Sequence, residues 1–495
     1  MADSFAPRSP RSGQGARLRL AVLRERYPRL GGGLVAVLAA TPALLIFRGF
    51  TVDDALVSAR MATHLAQGSG YRFNPSGPEV DAVTPLGWAH LLALGGPASP
   101  LDMLERGRVL GAVGWLGAVA MLGVLLARSS ALGRGTALVL LALSTPAAAW
   151  ATSGMETGLV TLFSTLALAS GPGGALAGGI AAAARPELVP FASVLAVGGA
   201  VLIPAEPRRR AALVLTALLL CLGPAFAVAL VRNAWFGTSA PLALSAKPPD
   251  LWPGLKYALA AALFSGPVLL LIAPFALARS QPVLVRTTLA VVVHFAAMAL
   301  AGGDWMPLYR LAVPVLPAVL FAGAELARST TVRWHAVRVT LGVVVSLVVA
   351  VFGAWPARGV LRDRVEVTDQ LRVALRGARV TTTLDAGVVG ASTDGSILDL
   401  AGVTDPSIAT LSGGHGSKRV PEGLVESRGV DHAVLLLRPG TRAAVPWQES
   451  AFARPVEARL ASFSTMDDFH LVADLPVGRT PYRYLVVARP RDVAK

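Results

Sequence analysis

The sequence predicts a mostly α-helical, polytopic membrane bundle of about 11 spans followed by a C-terminal soluble α+β domain. Three observations carry this. Of 495 residues 54% are hydrophobic and the mean hydropathy is +0.58, which is too apolar for a soluble globular chain. The apolar residues come in runs, and about 20 such residues cross a bilayer. From about residue 357 charged residues become frequent and short β-like runs replace the long apolar ones. A formal charge of +15 raises nucleic acid as a partner, but there is no recognised nucleic-acid module and no aromatic-interleaved basic patch, so none is expected. The single cysteine, Cys221, lies inside an apolar run, which rules out an intrachain disulfide or a Cys-based metal site.

In chain order, residues 1–30 are rich in Arg, Pro, Ser and Gly and read as a disordered basic tail, held in the cytoplasm by the positive-inside rule. The first apolar run, about 32–50, reads as a retained span. Further runs fall at about 109–127, 135–150, 156–171, 173–184, 187–204, 211–232, 255–278, 287–301, 309–327 and 338–355. Threading them alternately puts Arg128, Arg134, Arg208, Arg209, Arg210, Arg279, Arg286, Arg328, Arg333 and Arg338 on the cytoplasmic side of the plasma (inner) membrane. Arg185-Pro186-Glu187 is a poor mid-bilayer sequence, so 173–204 is read as a helical pair. The polar stretches then collect on the outer face: the loop 50–106, then WATSGMET (150–157), 185–187, 233–254 and GGDWMPLYR (302–310). Residues 31–356 form the membrane domain and 357–495 the extracytoplasmic one. In the latter a helix-period stretch at 362–375 precedes β-like runs at 379–384, 396–400, 432–437 and 484–488. No Walker or dinucleotide-type glycine loop is present, which argues against nucleotide-driven chemistry.

The outer-face residues carry the chemistry, and each has a plainer reading beside the functional one. Asp53 and Asp54 leave the first span as an acidic pair. A carboxylate near an apolar surface, next to a second one, has its pKa raised towards that of a usable general base; equally, acids at a helix start favour the helix dipole. Two carboxylates also offer oxygen ligands suited to a divalent cation (Mg²⁺, Mn²⁺ or Ca²⁺) without deciding for one. Arg60 is a phosphate contact or an internally paired arginine. Tyr71 either stacks on a sugar ring or sits at the interface; Glu79 and Asp81 are sugar-hydroxyl acceptors or part of a solvated loop, and Asn74 is counted with the substrate contacts. Glu156 binds substrate or caps the next helix. Lys247 suits a lipid-linked phosphate, or snorkels. Asp304 and Arg310 bind sugar and phosphate or neutralise one another.

Taken together, VDDALVSARMATHLAQGSGYRFNPSGPEVDAVTPLGW, WATSGMETGL, ARPELVPF, NAWFGTSAPLALSAK, GGDWMPLYRLAVPVLP and LDLAGVTDPSIA resemble the membrane glycosyltransferases of the GT-C superfamily. Within it they are similar to the terminal arabinofuranosyltransferase type of actinobacterial cell-wall synthesis. The resemblance implies a multi-pass enzyme that transfers a sugar, arabinofuranose in that type, from a polyprenyl-phosphate donor to a glycan, lipid or protein acceptor outside the membrane. It assigns the acidic residue of the first outer loop that acts near the acceptor hydroxyl to Asp53 or Asp54. Asp81-Ala82-Val83 before TP, and Gly237-Thr238 in place of Gly-Asp, depart from the pattern and leave sugar and acceptor open. The rival classes are a transporter or flippase for a lipid-linked or polar substrate, and a GT-C enzyme acting on protein or lipid A.

Overall fold

The computed structural model describes residues 12–247, 250–271, 273 and 281–490. Each predicted apolar run contains a helix. Among the described residues six helices are long and apolar enough to cross a membrane: Pro28–Phe47, Pro100–Leu126, Pro207–Phe236, Pro282–Leu300, Pro307–Leu326 and Val332–Ala374. The bent pair Ala131–Ala142 and Thr145–Ala151 raises the number to as many as seven. The remaining runs are shorter helices, Thr157–Leu166, Pro172–Ala184, Pro186–Val201 and Leu251–Phe264. A 13-residue helix such as Pro172–Ala184 rises only about 20 Å, less than the ~30 Å hydrocarbon layer. Pro172–Ala184 and Val189–Val201 pack through Ala175, Ala182, Ala192, Ala196 and Ala200 and turn at Arg185-Pro186-Glu187.

The N-terminal tail also differs from expectation. Residues 12–30 begin the Ser12–Phe47 helix, since Arg, Leu and Ala are strong helix formers and dominate RLRLAVLRER. Residues 1–11, Pro248 and Pro249, the end of the 255–278 run at 272 and 274–278, and Arg279 lie outside the described residues.

Beyond the bundle, the helix Val360–Ala374 leads into a five-stranded sheet of order β2-β1-β3-β5-β4. The strands are β1 (Val380–Thr383), β2 (Ser396–Asp399), β3 (His432–Leu437), β4 (His470–Pro476) and β5 (Arg483–Ala488). β1 runs parallel to β2 and β3, while β5 is antiparallel to β3 and β4. Four of these were legible as β-like runs. β4 was not, because it is a half-exposed edge strand with a bulge between Leu471 and Ala473 that breaks its alternation.

The helix Asp53–Ala66 of the first loop is buried from Ala55 to His64 and lies between the bundle and this domain. Its partner is the helix Ala386–Ser392. A side chain at Gly387 would overlap the Asp53 carbonyl oxygen, so glycine permits the close approach. Arg60 fastens the far end: its Nε donates to the Phe73 carbonyl (2.9 Å), Nη1 to the carbonyls of Thr393 (2.7 Å) and Gly390, and Nη2 to that of Gly395 (2.7 Å). Asn74 pairs with edge strand β2 as another strand would, accepting from Ile397 N (2.8 Å) and donating to Ile397 O (2.9 Å).

Candidate active site

Where the C-terminal domain meets the end of the bundle, a cavity of about 170 Å³ is lined by Asp53, Asp54, Trp305, Asp385, His415 and Arg454, with Asp399 behind them. The two adjacent aspartates have different environments. Neither caps its own helix, whose N-cap is Val52. Asp53 caps another: its Oδ2 accepts from Gly387 N (2.9 Å) and its Oδ1 from Val388 N (2.8 Å), and Arg364 stands 3.5 Å away. Burial, and then the neighbouring Asp385, push the Asp53 carboxyl up to about 7 despite Arg364 and the two backbone donors. Asp54 faces the cavity with a quarter of its side chain exposed, and the Arg310 guanidinium lies 4.0 Å from its Oδ2.

Arg310 is aimed by an unusual piece of backbone. Leu308 and Tyr309 are both left-handed (φ 59° and 50°), although neither is glycine. Each such residue costs about 1–3 kcal/mol and persists only where its surroundings fix it. Here Trp150 Nε1 donates to the Pro307 carbonyl (3.2 Å), Leu311 N donates to the Tyr257 hydroxyl (3.2 Å), and His294 Nε2 lies 2.9 Å from the Leu311 carbonyl. The guanidinium so placed reaches Asp304 at 2.7 Å and lies 5.7 Å from the centroid of the Trp150 ring. Burial pushes the Asp304 carboxyl up, but Arg310, then Lys247 and Arg185, outweigh it and hold the group below its ordinary value. Lys247 completes this cationic edge, its Nζ 5.4 Å from the Trp305 ring centroid.

The C-terminal domain forms the other wall. Asp385 accepts from both terminal nitrogens of Arg454 (2.7 and 2.8 Å) and from the Tyr484 hydroxyl (2.8 Å), and it stays below its ordinary value, burial notwithstanding, because of Arg454. Asp399, from LDLAGVTDP, accepts from Ala401 N and Thr404 N (both 2.8 Å), and burial pushes it up to about 6.

The expected residues therefore divide. Asp53, Asp54, Lys247, Asp304 and Arg310 come together. Glu156 lies one layer behind, its Oε1 3.0 Å from Arg185 Nη1, and it does not cap the following helix with its side chain. Arg60, Tyr71, Asn74 and Glu79 lie elsewhere. Arg60 and Asn74 hold the C-terminal domain, Tyr71 is buried against His90 with ring centroids 5.1 Å apart, and Glu79 is exposed beside Gly70. Asp81 is taken by Arg232 at 2.8 Å. Nor does the aspartate pair fit a divalent cation: both Asp53 oxygens accept backbone N–H groups, arginines face both carboxylates, and among the described residues no three His, Cys, Asp or Glu side chains converge on one point.

Trp305, His415, Asp385 and Arg454 went unrecognised in the sequence. The visible signal was the glycine-rich SGGHGS at 412–417, but nothing local shows that a loop over 350 residues downstream folds back onto Asp54.

No protein-family model matches the chain, and no curated protein matches it. Among solved structures it aligns with the cryo-EM structure of the arabinofuranosyltransferase AftD from Mycobacteria, at 16% identity and a TM-score of 0.36. The alignment covers 92% of this chain and 40% of that one, so the chain spans well under half of its neighbour's length. A likeness at this level assigns neither family nor activity.

Proposed function

We propose that the protein is an integral membrane glycosyltransferase that moves a sugar from a polyprenyl-phosphate donor to a cell-envelope glycan, with arabinofuranose as the first sugar to test. The observation that carries the reading is Asp54 and Arg310, a cavity-facing carboxylate and a guanidinium 4.0 Å apart where apolar helices end. A polyprenyl phosphate leaves as an anion, and Arg310 with Lys247 would stabilise the developing charge. The acceptor hydroxyl gives its proton to Asp54 as its oxygen bonds to the anomeric carbon and the bond from that carbon to the phosphate oxygen breaks. Asp53 positions Asp54 by docking the C-terminal domain. An apolar groove of about 230 Å³, lined by Trp88, Leu91, Leu159, Phe163 and Val228 and reaching Glu156, would take part of the polyprenyl chain. In this reading the N-terminus is cytoplasmic and residues 357–495 lie outside the plasma membrane.

Purified protein in nanodiscs, given radiolabelled polyprenyl-phosphate arabinofuranose, mannose or glucose and a cell-envelope glycan, should label the glycan from one donor. Asp54→Asn should slow that transfer by about 10²–10⁴-fold. Absence of transfer from every donor and acceptor, together with unchanged surface glycans in cells carrying Asp54→Ala, would reject the reading. A topology reporter after residue 357 must be active outside the membrane.

A further inference from the structure

Trp305 is the exposed member of the cavity lining. The residue is 56% exposed, whereas the Asp304 and Arg310 side chains are nearly buried and that of Asp54 is open by only a quarter. It therefore stands at the mouth, above the charged groups. An exposed indole in a membrane protein ordinarily belongs to the belt of aromatics at the lipid headgroups. Trp305 is placed differently: it lines the cavity with Asp54, Asp385 and Arg454, and its ring stacks on His415 of the C-terminal domain, with centroids 5.3 Å apart and planes at 22°. The loop that carries His415 is firmly built. Buried Lys418 donates from Nζ to the carbonyls of Ala409 (2.7 Å) and Leu411 (2.9 Å), Arg419 N donates to Ser412 O (2.9 Å), and Val456 N donates to Gly416 O (3.1 Å). Gly413 at φ 109° makes a turn that a side chain would block, since its Cβ would overlap the Ser417 carbonyl oxygen. His415 so held steadies the indole without enclosing it, and Lys247, whose Nζ is 5.4 Å from the ring centroid, does not enclose it either. A large apolar ring kept open to water beside charged groups is unfavourable unless a ligand covers it.

We infer that Trp305 is the platform on which a sugar ring of the acceptor lies, so that the acceptor is a glycan. This rests on the glycosyltransferase reading above. The chemistry of the mouth selects a sugar. A sugar ring presents C–H groups on its face and hydroxyls around its rim, so it covers an indole while its rim hydrogen-bonds to a carboxylate. Asp54 is the carboxylate left for that bond, since Asp385 is taken by Arg454 and the Tyr484 hydroxyl. A serine or threonine of a protein acceptor brings a hydroxyl but no flat face to set against the ring. Depth separates the two substrates. The donor phosphate belongs with Arg310 and Lys247, its chain among the apolar helices, while the acceptor enters past the most open side chain of the cavity and reaches Asp54 from there.

The test uses full-length protein in nanodiscs with the polyprenyl-phosphate sugar that serves as donor, and offers as acceptors arabinan, mannan and glucan oligosaccharides and a peptide containing serine and threonine. An oligosaccharide should accept the sugar and the peptide should not. Trp305→Leu keeps an apolar side chain but removes the flat ring. It should raise KM for that oligosaccharide about tenfold, with kcat and the KM for the donor within about twofold of wild type, and Trp305→Tyr should recover most of the loss. An unchanged acceptor KM in Trp305→Leu, an equal rise in the donor KM, no recovery by tyrosine, or transfer to the peptide in preference to every oligosaccharide would overturn the inference and leave the transferase reading standing. Wild-type protein that transfers no sugar to any acceptor overturns both. Should leucine disturb the fold, as seen by thermal unfolding, oxidation of wild-type protein by N-bromosuccinimide, followed residue by residue by mass spectrometry, decides the matter. The oligosaccharide must slow oxidation of Trp305 several-fold while leaving the exposed Trp235 and Trp252 unaffected, and equal rates at Trp305 with and without it refute the assignment.

Discussion

Asp53 and Asp54 are adjacent, yet the structure predicts opposite consequences for their loss. Asp53→Ala strips the acceptor from Gly387 N and Val388 N and the ion pair from Arg364, all in a buried interface. Hydrogen bonds to a charged group contribute about 1.5–3 kcal/mol each. Because burial keeps the Asp53 carboxyl partly protonated near neutrality, the lower end of the range applies and a loss of about 2–4 kcal/mol is expected. Among the described residues Asp54 has one ion-pair partner, Arg310 at 4.0 Å, and a partly exposed side chain. Asp54→Ala should therefore change stability by less than about 1 kcal/mol. Activity should move the other way, with Asp54→Asn folding normally and turning over about 10²–10⁴-fold more slowly. Thermal unfolding of the detergent-solubilised variants, limited proteolysis at the domain junction and donor turnover measure the three quantities. If Asp54→Asn unfolds as easily as Asp53→Asn, or if it keeps full turnover while Asp53→Asn folds normally and loses it, the division of labour is refuted.

Other consequences follow from the same contacts. The Asp53 carboxyl titrates near 7 when folded against an ordinary 3.8, so the folded state binds the extra proton. Its contribution to stability is therefore fully present below about pH 4 and is lost as pH rises through 7; unfolding temperature should fall between pH 5 and 8 more steeply in wild type than in Asp53→Asn. Arg60→Met leaves four carbonyls without their donor and should cost about 3 kcal/mol or more, read as faster cleavage between residues 357 and 380. Arg310→Ala removes the nearest cation from Asp304, whose side chain is 6% exposed, and leaves only Lys247 and Arg185 to offset it, at a cost of about 3 kcal/mol, whereas Arg310→Lys retains the charge and should chiefly raise KM for the lipid donor. Gly387→Val should part the two domains, seen as loss of turnover together with protease sensitivity of an otherwise helical protein.

Residues close in sequence made much of this legible. The membrane class, most strands of the C-terminal sheet and the singling out of Asp54, Asp304, Arg310 and Lys247, which the fold brings together, all rest on local composition and spacing. Span number rests on more than this, because hydropathy alone does not separate a full crossing from a short apolar helix such as Thr157–Leu166. Arg60 and Asn74 read as substrate contacts because their partners, the carbonyls near Thr393 and the backbone of Ile397, are over 300 residues away. An acid favouring a helix start was a fair reading of Asp53, but the helix start its carboxylate bonds to is that of Ala386–Ser392. His415 and Arg454 were invisible for the same reason: their roles exist only once the sheet domain has docked.

The most direct test of the central claim is a cryo-EM structure with a polyprenyl-phosphate sugar bound. The phosphate should lie within hydrogen-bond reach of Arg310 or Lys247, with the anomeric carbon facing Asp54. Donor bound with its phosphate away from this cavity, or at the far end of the helices near Arg328 and Arg338, would contradict it.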